Sequence, residues 1–223
     1  MEKKTLTAII VIVILIAVFT AVFVYYSKEL EKSQHFTFKG VNSDYTFDIV
    51  RLEGVKGLFY KTFIYVTYDN NEKYKIYITF KNDPRELDDI SFEDSNSILY
   101  NEANKKDKIY ITQDLDLPNL SQKTSTVAAM DITKVTYGLA NVFIYNIPTE
   151  SAYTNLTQDL IDRGINQITC KNADKTAGVI LIKIGSENRI YKENDNCVVL
   201  EAKTYDDITR VTDRFIMNII GIF

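Results

Sequence analysis

Tryptophan is absent from the 223 residues, and only one histidine (His35), two cysteines and eight glycines are present. Each scarcity excludes a chemistry. A single histidine rules out an HExxH zinc site, and any histidine-based triad would have to use His35. That residue opens the alternating run His35–Lys39, where an ordinary strand position accounts for it. The glycines form no GxGxxG, Walker A or GxSxG pattern, and no Ser-x-x-Lys occurs. The common nucleotide, hydrolase and metalloprotease signatures are therefore missing, and no cofactor is implied. The usage of Tyr, Ile, Asn and Lys is that of AT-rich coding and carries no functional reading.

Charge is missing from one whole stretch, Thr5–Ser27, TLTAIIVIVILIAVFTAVFVYYS. As a helix these residues reach roughly 34 Å, enough to cross a hydrocarbon core of about 30 Å. In lipid the backbone must satisfy its own hydrogen bonds, which outweighs the low helix propensity of the β-branched residues. Tyr25 and Tyr26 fall at the interfacial edge. The apolar core exceeds the h-region of a cleavable signal, about 7–15 residues, and no A-x-A site follows. The stretch reads as an uncleaved signal-anchor. Lys3 and Lys4 before it balance Lys28 and Lys32 after it, so flanking charge does not orient it. The four-residue tail, together with features of an oxidising compartment downstream, favours N-in, C-out.

The expected organisation is a tail at 1–4, a transmembrane helix at 5–27, a connector at 28–34 and one extracytoplasmic domain at 35–223. The chain carries 26 basic and 30 acidic side chains; without Lys3, Lys4 and Glu2 these become 24 and 29, a net of about −5. Such a balance argues against a nucleic-acid partner and against electrostatic adhesion to anionic lipid. Cys170 and Cys197 read as a disulfide outside the cytosol, or as two buried thiols within it. Asn119-Leu120-Ser121 and Asn155-Leu156-Thr157 are glycosylation sequons, a triplet also frequent by chance in an Asn-rich chain.

Along the domain, His35–Lys39 and Tyr45–Leu52 read as strands. Leu58–Tyr68 and Lys73–Lys81 read as a hairpin. In its second arm Tyr74, Ile76, Ile78 and Phe80 share one face, while Lys73, Lys75, Thr79 and Lys81 share the other. Residues 85–107 read as a polar loop. Strands are expected at Lys108–Thr112, Val142–Tyr145, Gly178–Ile184 and Cys197–Glu201. Helices are expected at Ser121–Leu139, Glu150–Arg163 and Tyr205–Ile220, the last with a capping-box spacing at Thr204 and Asp207. The fold class is α+β, with α/β as the alternative: a hairpin, then a mixed sheet packed by about three helices.

Asp114 and Asp116 follow the 108–112 strand at its carboxyl end, where open α/β sheets place ligands; two carboxylates at that spacing can hold a divalent metal. A solvated loop between strand and helix, whose acids also favour the next helix N-terminus, is the preferred explanation. Asp88, Asp89, Glu93 and Asp94 form a second acidic cluster with the same bland reading.

The run GVILIKIGSENRI, NCVVLEA and DDITRVTDRFIMNIIGI, with NDPREL after the hairpin, resembles small uncharacterised membrane-anchored proteins of small-genome archaea. Cys170 and Cys197 fall where that pattern carries cysteines, so the resemblance implies an archaeal source, the anchored topology and a disulfide. It implies no activity. The function expected is a cell-surface protein of binding or structural type, held by the bilayer through 5–27 and meeting an envelope partner. The alternatives are a membrane-tethered hydrolase using Asp114 and Asp116, or an accessory subunit of an envelope complex.

Overall fold

Four strands at the start of the domain alternate in hydropathy at the period of a pleated sheet, and they pair in chain order. The computed structural model describes residues 14–26, 34–40, 43–54, 57–67, 72–93, 98–101, 104–114, 119–138 and 144–223. Strands β1 (His35–Phe38), β2 (Phe47–Gly54), β3 (Gly57–Thr67) and β4 (Lys73–Phe80) form an antiparallel meander. Thr62 lies opposite Ile78 and Phe63 opposite Tyr77. This register turns Tyr60, Thr62, Ile78 and Phe80 into the core and leaves Lys73, Lys75, Tyr77 and Thr79 exposed.

The second sheet is mixed. After β5 (Ser91–Phe92) and a two-strand ladder of β6 (Tyr100–Asn101) with β7 (Asn104–Lys105), β8 (Lys108–Gln113) leads into helix α2 (Asn119–Thr136). Strand β9 (Thr149–Tyr153), helix α3 (Gln158–Asp162), β10 (Asn166–Gln167), β11 (Ala177–Ile184), β12 (Arg189–Asn194), β13 (Cys197–Ala202) and helix α4 (Asp207–Ile219) follow. The strand order is β10-β9-β8-β11-β13-β12-β5, parallel from β10 to β13. One face carries Ile109, Ile111, Ile180, Ile182, Val198 and Leu200 into the main core with α2, α4 and the meander. The other face is covered near its middle by Cys170 and its neighbours.

Helix α4 is buried all the way round from Val211 to Met217, the pattern of a helix enclosed by the fold. Its expected stripe of Ile208, Val211, Phe215 and Ile219 is buried; Thr204 and Asp207 exchange hydrogen bonds at its start, but the N-cap position is Asp206, whose side chain makes no capping bond. Opposite that stripe lies Asp213, which accepts from the Lys81 and Asn82 amides and from Asn82 Nδ2 at 2.9, 2.9 and 2.7 Å. These bonds join the end of β4 to the middle of α4.

Three expectations are corrected. Residues 150–163 are not one helix: Thr149–Tyr153 pairs in parallel with β8, and only Gln158–Asp162 is helical. Pairing with β8 buries Ala152 completely, and that gain overrides the weak helical propensity of the segment. Ile144 and Tyr145 form a bend rather than a strand, while 142–143 lie outside the described residues. The 85–107 segment is not a plain polar loop, because Leu87, Ile90, Ile98 and Leu99 are fully buried core residues within it. Of the expected 5–27 span, residues 14–26 are described as helix α1, with every described side chain exposed; the rest lies outside the described residues. Among the described residues no helix is long and apolar enough to cross a membrane.

Burial pushes the Asp213 carboxyl up to about 7, against the pull of its donors. A folded value above the unfolded 3.8 means that this group's stabilisation is full below about pH 4 and is lost as pH rises through 7. The loss is bounded by roughly 4 kcal/mol. Asp213→Asn keeps an acceptor without the ionisation. Denaturant unfolding is therefore expected to show the variant gaining on the parent between pH 4 and pH 8; parallel profiles would refute the assignment.

Candidate functional site

The carboxyl ends of the parallel strands gather the polar residues of the mixed sheet. Gln113 closes β8 with Asp114 just after it, Thr154 follows β9, and Lys183 and Glu201 are the penultimate residues of β11 and β13. Gln113 is buried and accepts from Ser125 Oγ on α2 at 2.6 Å. Asp114 is half-buried; its Oδ1 accepts from Thr154 Oγ1 at 3.2 Å and its amide donates to the Ile182 carbonyl at 3.3 Å. Asp116 lies outside the described residues. Among the described residues no three His, Cys, Asp or Glu side chains are placed to hold a metal ion.

Glu201, which sequence reasoning did not single out, is the most constrained charge at this edge. It is 2% exposed and lies between Lys183 at 3.3 Å and Arg189 at 3.1 Å. The Ser186 and Glu187 amides also donate to it, at 2.9 and 3.4 Å. Burial opposes its ionisation, but the Arg189 hydrogen bonds and the other donors win and hold the carboxyl at about 2. Such a group stays ionised near neutrality and is unsuited to proton transfer. It is a structural anion. A Cβ on Gly185 would collide with its carboxylate, so the turn after β11 requires glycine there. The alternation of β12, Arg189-Ile190-Tyr191, was the available signal, since it places Arg189 opposite Glu201.

The acidic cluster of 88–94 divides between separate tasks. Asp89 pairs with Arg210 of α4 at 2.9 Å, and Glu93 accepts from the Lys192 amide at 2.9 Å. Asp88 is exposed, and Asp94 lies outside the described residues. Arg214 has Nε and Nη1 buried without hydrogen-bond partners, and its guanidinium stacks 3.4 Å from the Phe223 ring centroid. Burial lowers its pKa.

Cys170 and Cys197 form a disulfide, with Cα atoms 5.3 Å apart. It pins the segment after β10 onto β13. Buried Lys106 reinforces the same corner, its Nζ donating to the Asp174 and Lys175 carbonyls at 3.1 and 3.2 Å and to Asn196 Oδ1. Asn155 is exposed in a bend before α3 and not inside a helix, which removes the steric objection to that sequon. Asn119 opens α2.

A cleft of about 330 Å³ opens between β4 and α2. Ile76, Ile78, Val135 and Ile216 line it together with Lys75, Lys134 and Asp131, the last bridging Lys134 at 2.5 Å and Lys81 at 3.6 Å. Its size is at the lower end of small-molecule sites, about 300–1,000 Å³. Its lining combines apolar side chains with charged ones.

No family model matches the sequence, and no curated protein or solved structure matches it.

Two substitutions test the Glu201 cluster. Glu201→Gln strands Lys183 and Arg189 and is expected to cost about 2 kcal/mol, less than a fully buried pair because both bases are partly exposed. Gly185→Ala should destabilise through the same carboxylate, and the two losses should not add. Additive losses in denaturant unfolding would separate the glycine from the cluster. Reducing the disulfide should lower stability by about 3.5 kcal/mol for a loop of this length, read as a drop in the unfolding midpoint.

Proposed function

We propose that this chain is a single-pass anchored protein whose 35–223 domain stands outside the cytosol and serves as a binding or structural element of the cell envelope. The observation that carries the reading is the uncharged run 5–27. Ile14, Ile16, Val18, Phe19 and Phe23 on its described helix are 55, 61, 56, 74 and 64% exposed. An apolar helix of that kind is covered by lipid at far lower free energy than by water. The Cys170–Cys197 disulfide supports an oxidising compartment. The resemblance to anchored archaeal proteins points the same way.

Binding is favoured over catalysis by the state of the charged groups. Glu201 is neutralised by two bases and two amides, and Asp89 and Glu93 tie segments to the core. The cleft beside β4 offers a seat for side chains of a protein partner.

Carbonate extraction of membranes tests the anchor. The parent chain is expected to remain in the pellet. Ile14→Arg with Val18→Arg should raise the cost of insertion by about 5–7 kcal/mol on translocon scales and release it. Retention of the doubly charged variant would sink the anchor. Protease added to intact expressing cells then reads orientation: digestion of the domain supports the outside placement, and complete protection would turn the protein round.

A further inference from the structure

The outer face of the meander is unlike the rest of the surface. Its register sets Lys61, Phe63, Tyr65 and Thr67 on β3 opposite Thr79, Tyr77, Lys75 and Lys73 on β4. Tyr65 and Tyr77 are 62 and 55% exposed, so aromatic rings stand in solvent on both strands. The rings pack edge-to-face, Phe63 with Tyr65 at 5.5 Å and with Tyr77 at 6.3 Å between centroids. Lys75 Nζ sits 3.8 Å over Phe63, and Lys61 Nζ 4.0 Å over Tyr77.

Four lysines elsewhere in the fold have acidic partners: Lys81 and Lys134 share Asp131, Lys108 pairs with Glu150, and Lys183 with Glu201. Among the described residues Lys61, Lys73 and Lys75 pair with none. Among the described residues Asp48, in register with Thr37 of β1, makes no ion pair with them. Cations and amphipathic rings are thus segregated on one flat face of an acidic protein.

The chain enters the domain on this same sheet. β1 is its edge strand, and His35 projects on the outer side, in register with Val50. From Tyr26 at the end of α1 to His35 the backbone can span at most about 30 Å, so the sheet cannot stray far from whatever holds α1.

We infer that the outer face of the β1–β4 sheet docks on the anionic headgroup layer of the membrane that anchors the chain. The inference rests on the anchor proposed above. Tyrosine and lysine side chains are the ones that favour this layer, rings at the polar–apolar boundary and ammonium groups against lipid phosphates. Docking would lay the domain down beside its anchor.

The absence of tryptophan makes the test direct. The full chain carrying Tyr77→Trp, or Ile161→Trp on α3 as a reference, is reconstituted into phosphatidylcholine vesicles with about one-third phosphatidylglycerol, part of it brominated. Fluorescence from position 77 is expected to fall at least twofold on bromination, with a blue shift, while position 161 is unaffected. Lys61→Glu with Lys75→Glu, or omission of the anionic lipid, should abolish the quenching. Equal, unquenched emission from both positions in protein that floats with the vesicles would overturn the docking and leave the anchor intact. Protein that does not float at all would overturn the anchor instead. A position-77 response to added heparin but not to lipid would assign the face to an acidic polymer and also overturn the inference. Unchanged far-UV circular dichroism guards each variant against misfolding.

Discussion

Asp213 accepts three N–H groups on one oxygen, and the joint between the two sheets depends on that arrangement. The meander ends at Phe80, and the next two residues turn their amides into the buried carboxylate of α4. Those amides would otherwise be donors left unpaired beside an apolar core, each costing about 1–3 kcal/mol. The same carboxylate sits where burial opposes its charge. The joint is therefore geometrically specific and energetically conditional, strongest with the proton on. α4 can occupy the centre of the fold because its buried polar groups are engaged, Asp213 by this joint and Arg214 by the Phe223 ring, while its apolar stripe is buried.

The other buried charges are arranged the opposite way. Glu201 gathers two bases and two amides and is held ionised, so it stabilises as long as pH stays above its depressed value near 2. Lys106 is surrounded by carbonyl oxygens beside the disulfide, and Arg214 replaces missing hydrogen bonds with stacking on Phe223. Each of these groups closes a corner of the fold: the β11–β12 turn, the disulfide segment, and the C-terminal tail against β1. The tail is fixed there by Gly40, whose amide donates to the Ile222 carbonyl at 3.0 Å, and by Ser43, which donates to Gly221. Charge spent on closure is not available to a substrate.

The elements legible in the sequence are those whose periodicity is set by one face of burial. β4 alternates Tyr74, Ile76, Ile78 and Phe80 against lysines, and α4 repeats Ile208, Val211, Phe215 and Ile219. β8, β11 and β13 read as strands from apolar content alone. Strand β9, Thr-Glu-Ser-Ala-Tyr, has no such pattern; its identity comes from pairing with β8, a contact made across a helix and invisible locally. Strand β12 is half charged because Arg189 answers Glu201 across the ladder, so the ion pair disguised the strand. The 85–107 segment misleads for a related reason. Its acids staple it to Arg210 and Lys192, while four scattered aliphatic residues, too far apart to show a period, enter the core. At the candidate site the position of Asp114 at a strand end was legible, and its bond to Thr154 was not, since that partner belongs to β9's end.

Net charge was the least transferable of the sequence arguments. A total near −4 speaks against adhesion to an anionic surface only if charges are spread evenly. Here they are not. Asp131, Glu150, Glu201, Asp89 and Asp207 are engaged by bases within the fold, which leaves the total unchanged but neutralises those charges locally. Among the described residues Lys61, Lys73 and Lys75 have no acidic partner, and they share one sheet face. Within a Debye length of about 8 Å at physiological salt, an approaching surface senses that face and not the molecular total. A tether that holds the face within reach raises its effective concentration at the bilayer, so three lysines and their rings need supply only orientation, because the anchor has already supplied proximity.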